Sequence, residues 1–149
     1  MTRHTALTHE FVDYIPDDLK EGVVYVCIQF ATVVHKCCCG CGREVVTPLS
    51  PTDWTLIFDG DTISLAPSIG NWSFPCRSHY WIRRDRVTWA PQLSAKQIEA
   101  GRAYDRLQKE EYFQSTKGAI INDRTISNTA SGEGEAKRSL WAKLKDWWS

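Results

Sequence analysis

Four cysteines fall within the five positions from Cys37 to Cys41, in the run His35-Lys36-Cys37-Cys38-Cys39-Gly40-Cys41-Gly42. Zinc favours thiolate and imidazole ligands in tetrahedral geometry. A Cys-x-Cys spacing places two sulfurs on the same side of an extended chain. Gly40 and Gly42 let the backbone fold tightly round an ion, as bulkier residues would not. Cys76 and His79, spaced Cys-x-x-His, add a second half-site far along the chain. Small buried thiols are the competing explanation, but it fits poorly with such crowding beside glycines. Cys27 reads as a core thiol of a strand, and Cys38 should point away from its alternating neighbours. Cys37, Cys39, Cys41, Cys76, His35 and His79 then remain as six donors for four places. The favoured ligand set is Cys37, Cys39, Cys41 and Cys76, holding a structural zinc. With sulfur filling the site, both histidines stay free for acid–base work; if His79 ligates, only His35 remains.

A serine becomes a useful nucleophile when a base takes its proton, and histidine is the usual base at neutral pH. Ser78 and His79 are adjacent in Pro75-Cys76-Arg77-Ser78-His79-Tyr80, so on a strand they would face opposite ways. Ser78 paired with His35, drawn near through the metal, is the more plausible couple, with Glu44 orienting the histidine. Ser68, in Pro67-Ser68-Ile69-Gly70-Asn71, is the alternative nucleophile, with Gly70 and Asn71 as candidate oxyanion donors. Without catalysis, Ser78 would satisfy backbone groups and Ser68 would cap a turn. His4 and His9 carry no usable signal.

The elements that must position these groups are short strands. Gly22–Phe30 is rich in β-branched and aromatic residues, and Ala31–His35 runs extended into the cysteines. Glu44–Thr47 and Trp54–Phe58 are further strands. Asp59-Gly60-Asp61 predicts a turn to Thr62–Leu65, and Arg84-Asp85 predicts one between His79–Arg83 and Arg86–Trp89. Trp54, Trp72, Trp81 and Trp89 are expected in the core of such a unit. The fold class is mainly β (α+β overall): a zinc-stapled domain of short hairpins over 1–93, then one or two C-terminal helices.

No proline follows Pro91, which leaves the last third free to be helical. Ser94 and Gln97 form a capping box, and Ile98, Tyr104, Leu107 and Tyr112 follow at rough helical spacing. A helix packing on the β domain is therefore expected over 94–114, then a flexible linker over 115–134. A basic amphipathic helix rich in tryptophan, Trp141, Trp147 and Trp148, is expected over 135–149.

Eighteen Lys plus Arg balance eighteen Asp plus Glu, so this is not the basic chain of an electrostatic nucleic-acid binder. Hydrophobic residues at 42% exclude wholesale disorder. No apolar run is long enough for a membrane span. Met1 to Glu10 carry no secretory h-region, so a cytoplasmic, reducing setting is expected, where metal binding is likelier for clustered thiols than disulfides.

Taken together, the motifs form an ordered succession. His-x-Cys-x-Cys-Gly-Cys-Gly at 35–42 precedes Glu-Val-Val-Thr-Pro-Leu-Ser-Pro at 44–51, Trp54 and Asp-Gly at 59–60. Pro-Ser-Ile-Gly-Asn-Trp at 67–72 and Cys-Arg-Ser-His-Tyr-Trp-Ile at 76–82 complete it. The chain resembles the BubE family, small bacterial proteins encoded beside ubiquitin-like modifiers and their activating enzymes. The resemblance implies a peptidase-like member of a bacterial ubiquitin-like conjugation system, trimming the modifier's C-terminal tail, removing it from targets, or both. It further implies serine-type hydrolysis after the modifier's terminal glycine, with Ser68, Ser78, His35, His79 and Glu44 all at matched positions. The implied partners are the modifier and its conjugates, with the operon's activating or conjugating enzyme as a further candidate. Two rivals stand beside this reading: a zinc-dependent hydrolase using Glu44 as base, and a non-catalytic zinc-stabilised module that binds the modifier or its activating enzyme.

Overall fold

The first sheet holds β1 (Thr8–Phe11), β2 (Val23–Cys27), β3 (Thr32–Lys36) and β4 (Glu44–Pro48), neighbours in that order. β1 runs parallel to β2, and the other pairs are antiparallel. The second sheet is an antiparallel meander of β5 (Thr55–Phe58), β6 (Ile63–Gly70), β7 (His79–Arg83) and β8 (Arg86–Trp89). A helix, α1 (Ala95–Thr129), follows. The computed structural model describes residues 2–129.

The two sheets bury one common core. Val24, Val26, Val33 and Val45 of the first meet Ile63, Leu65, Ile69, Tyr80 and Ile82 of the second. This is the mainly β, hairpin-built arrangement that the alternation in 79–89 implies. β2 reads as an unbroken apolar run and β3 carries Val33 and Val34 side by side, because both strands are covered on both sides. Tyr25 and Val34, on their other face, pack with Leu19, Val12 and Ile15 from the segment between β1 and β2.

Both expected hairpins form. Asp59 Oδ1 accepts the N–H groups of Asp61 (2.9 Å) and Thr62 (2.6 Å), which closes the turn between β5 and β6. Arg84 and Asp85 both have positive φ, +48° and +58°, as a two-residue hairpin turn requires. Asp85 also clamps three segments. Its Oδ1 accepts the Ile63 N–H (2.9 Å), its Oδ2 pairs with His9 Nδ1 (2.7 Å), and its carbonyl accepts the Leu7 N–H (2.7 Å). Asp85→Ala should therefore be costly for one residue of a turn. The orphaned, buried Ile63 N–H accounts for about 1–3 kcal/mol, and alanine in left-handed backbone adds about 1 kcal/mol. Urea unfolding should show the loss, and Asp85→Gly should lose less because it removes the backbone component.

Three expectations need correction. Thr8–Phe11 was not foreseen as a strand. The strand expected over 22–30 stops at Cys27, because Ile28–Ala31 makes a turn, with the Ala31 N–H donating to the Ile28 carbonyl (2.9 Å). The linker expected from 115 is helical as far as Thr129. Within 115–129 only Gly118 lowers helix propensity strongly and no proline intervenes, while the Ser115 and Thr116 hydroxyls donate back to the Tyr112 carbonyl (2.9 and 2.8 Å). Weak apolar periodicity does not by itself end a helix. The rest of that linker and the helix expected over 135–149 lie outside the described residues.

The capping box forms as read. Gln97 Oε1 accepts the Ser94 N–H (2.9 Å), and Ser94 Oγ accepts the Gln97 N–H (3.3 Å). The chain divides into two units, Met1–Tyr104 and Asp105–Ser149, and the candidate site lies wholly in the first. Among the described residues, no helix is long and apolar enough to cross a membrane.

Candidate metal centre and serine–histidine pair

The cysteine run is the loop between β3 and β4, and 71–78 is the loop between β6 and β7, so each sheet contributes one loop to the same place. The first loop turns sharply, with the Gly40 N–H on the Cys37 carbonyl (3.0 Å) and the Cys37 N–H on the Arg43 carbonyl (2.7 Å). Gly40 has φ +85°, and a Cβ there would stand 2.8 Å from the Thr2 carbonyl oxygen, so no other residue fits without movement.

These loops bring the sulfurs of Cys37, Cys39, Cys41 and Cys76 within 4.8 Å of one another. Individual separations are 3.5 Å for Cys37–Cys39, 3.8 Å for Cys37–Cys76 and 4.0 Å for Cys41–Cys76. A tetrahedral ion with Zn–S bonds of about 2.3 Å sets its sulfurs about 3.8 Å apart. The four cysteines can hold a metal ion, and they are the set favoured from spacing. Cys38 is buried in the core beside them, and burial pushes its thiol up to about 12. Cys27 donates from Sγ to the Asp13 carbonyl (3.2 Å). Both stand outside the quartet.

Burial also raises the thiols of Cys37 and Cys39. Cys76 goes the other way: burial acts against it, but hydrogen bonds from Ser78 and the neighbouring thiols bring it down to about 7. Ser78 Oγ lies 3.0 Å from Cys37 Sγ and 3.5 Å from Cys76 Sγ, and it accepts from Asn71 Nδ2 (3.0 Å). Asn71 Nδ2 is also 3.6 Å from Cys37 Sγ. Ser78 and Asn71, both buried, therefore form a polar shell round the sulfurs.

That placement separates Ser78 from His35. The His35 ring is buried, Nε2 is hydrogen-bonded to the Tyr80 hydroxyl (2.8 Å), and burial lowers its pKa to about 4. Glu44 is exposed at the start of β4, opposite Lys36, and touches neither histidine. The Ser78–His35–Glu44 constellation expected from the sequence does not form by direct contact, because Asn71 Nδ2 and the Tyr80 hydroxyl stand between Ser78 Oγ and His35 Nε2.

The other serine does meet an imidazole. Ser68 Oγ lies 3.0 Å from His79 Nε2, and His79 Nδ1 lies 2.8 Å from the Pro91 carbonyl oxygen. A carbonyl only accepts, so in the neutral ring Nδ1 carries the proton and Nε2 presents its lone pair to the serine hydroxyl. The register explains the pairing. Gly70 of β6 is opposite His79 of β7, and Ser68 and Gly70 flank the buried Ile69 on the outer side, so Ser68 reaches His79 just beyond a register shift between Leu65 and Ile69. Ser68 and His79 are both partly exposed, as a substrate requires.

Trp72 completes the site. Its ring packs on His79 with centroids 5.0 Å apart, and it lies so close to Gly70 that a Cβ there would collide with the indole. Sequence reasoning placed Trp72 in the core and did not find the Pro91 carbonyl. The strict alternation Ser68–Gly70, with Trp72 just beyond, was the available signal. Gly70→Ala should push Trp72 out of place and unseat His79, for about 1–3 kcal/mol of overpacking. A thermal melt should fall modestly while any reaction that draws on His79 falls severely; an unchanged rate would show that Trp72 does not hold the imidazole.

Residues 11–90, more than half of the 149, match the model of the family described as "Bacterial ubiquitination-like system serine protease (BubE)". The chain belongs to the BubE family. No curated protein and no solved structure matches it. The BubE match spans both loops of the cysteine quartet and both members of the Ser68–His79 pair, and it ends one residue before Pro91.

Proposed function

We propose that this BubE protein hydrolyses the peptide or isopeptide bond that follows the C-terminal glycine of a ubiquitin-like modifier, with Ser68 as nucleophile and His79 as general base. The observation that carries the reading is the 3.0 Å contact from Ser68 Oγ to His79 Nε2. The family description supplies the serine protease class and the modifier system. Ser68 Oγ attacks the scissile carbonyl carbon while its proton passes to His79 Nε2. The imidazolium, held by the Pro91 carbonyl at Nδ1, returns that proton to the leaving amine as the tetrahedral adduct collapses to an ester. Water then attacks the ester with His79 again as base, releasing the modifier's carboxylate. A backbone carbonyl here takes the orienting role that a carboxylate fills in the familiar triad.

The ladder between β5 and β6 ends at Thr55–Ala66, so Pro67–Gly70 has no strand partner on that side among the described residues. An extended modifier tail adds there as a strand, held by main-chain hydrogen bonds. Cys37, Cys39, Cys41 and Cys76 would hold a zinc ion that ties the 71–78 loop, which joins the strands bearing Ser68 and His79, to the opposite sheet. Four sulfur ligands would close its coordination sphere, so the metal would serve as a staple, and the hydrolysis, in the cytoplasm, would run without it touching substrate. The test is to incubate the full chain with a C-terminally extended precursor of the modifier and weigh the products. Release of a fragment ending at the glycine supports hydrolysis; binding without any cleavage supports an adaptor instead.

A further inference from the structure

Acyl transfer through Ser68 needs a hydrogen-bond donor for the oxygen that becomes negative, and Asn71, one of the two anticipated with Gly70, is committed elsewhere. Asn71 is buried. Its side-chain nitrogen serves Ser78, Cys37 and Tyr80, and its N–H donates to the Ser78 carbonyl (2.9 Å). A second donor stands closer to the reacting atoms. Trp72 Nε1 is the heavy atom nearest to where a Gly70 Cβ would project. Gly70 shares a face with Ser68 and lies opposite His79. The indole nitrogen thus sits over the patch that the serine and the imidazole border, and it has no hydrogen-bond partner among the described residues. Two strand residues span about 6.8 Å; a serine side chain, one tetrahedral carbon and a hydrogen bond of about 2.8 Å bridge that distance.

We infer that the Trp72 indole N–H is an oxyanion donor, binding the oxygen of the tetrahedral adduct on Ser68. The inference rests on Ser68 being the nucleophile. It gives Gly70 a chemical reason to lack a side chain, since any Cβ would displace the donor. When Ser68 Oγ bonds to the carbonyl carbon, the π pair moves to oxygen, and the indole hydrogen stabilises that charge without reorganising, because ring packing on Gly70 and His79 already fixes it. The negative charge is lost again when the C–N bond breaks and the pair returns to form the ester carbonyl.

Trp72→Phe keeps a ring over Gly70 and His79 and removes only the N–H. With 4-nitrophenyl acetate as probe, its acylation rate should fall about 10²-fold or more. KM should stay within about threefold, with zinc content and melting temperature unchanged. Full-rate acylation by Trp72→Phe, with Ser68→Ala inactive, overturns the donor role and leaves the nucleophile standing. Activity retained in Ser68→Ala overturns both. A second measurement needs no variant: diisopropyl fluorophosphate should place a phosphoryl oxygen in the same position on wild-type protein. One indole N–H proton resonance should then move downfield and exchange more slowly. Indole resonances that do not respond to the adduct also overturn the proposal.

Discussion

Ser68→Ala should abolish hydrolysis of an extended modifier precursor, with kcat down by at least about 10³-fold and the protein still folded and metal-bound. The size follows from the arrangement. His79 Nε2 has one serine within reach, at 3.0 Å, and without its hydroxyl there is no covalent route for the imidazole to assist. His79→Ala should fall as far, and the double variant no further, because nucleophile and base act as one unit. Ser78→Ala should behave differently. Its hydroxyl approaches Cys37 and Cys76 and accepts from Asn71, so its loss should weaken metal retention and lower the melting temperature while the residual folded protein still acylates. Assays of precursor cleavage and zinc content on the same preparations separate the two serines. An inactive but zinc-replete Ser78→Ala beside an active Ser68→Ala would make Ser78 the nucleophile instead.

How far such a site is legible in a sequence depends on whether its geometry is local. The quartet was legible because three of its cysteines sit two residues apart beside glycines, and Cys76 was the remaining free thiol outside a strand. The hairpin at Arg84-Asp85 was legible because alternation is strict on both sides. Adjacent residues facing opposite ways also held: Ser78 is turned into the polar shell of the sulfurs and His79 onto the outer face. What the sequence hid was register. Ser68 and His79 are 11 positions apart, and only the pairing of Gly70 with His79 makes them neighbours. Choosing between Ser68 and Ser78 needed that one alignment, and strand pairing leaves no local trace. β1 was hidden for a related reason. Thr8–Phe11 is short and mostly exposed, and its strand character comes from β2 alongside it rather than from its own pattern.

Removing the metal should unfold the β domain. The quartet links one loop from each sheet, and the polar contacts that cross beside it, Cys37 to Ser78 and Asn71 to Cys37, run through the same sulfur. Structural zinc in comparable cysteine sites is worth about 10–16 kcal/mol, and a domain of this size has about 5–15 kcal/mol in total. Chelation, or Cys37→Ser, therefore exceeds the available stability, and circular dichroism should show loss of sheet signal at room temperature. Cys37 is the most sensitive position because it is wholly buried and its sulfur approaches both Ser78 and Asn71. Zinc uptake should release protons and tighten as pH rises, since burial keeps the thiols of Cys37 and Cys39 protonated where Cys76, at about 7, is already ionising. Cadmium or cobalt offers the decisive comparison. A staple needs only four thiolate bonds, so either metal should restore both fold and acylation rate to within about threefold of zinc. A catalytic zinc would instead tie the rate to the metal's own acidity, and a large change of rate in a fully refolded cobalt or cadmium protein would move the chemistry from Ser68 to the metal.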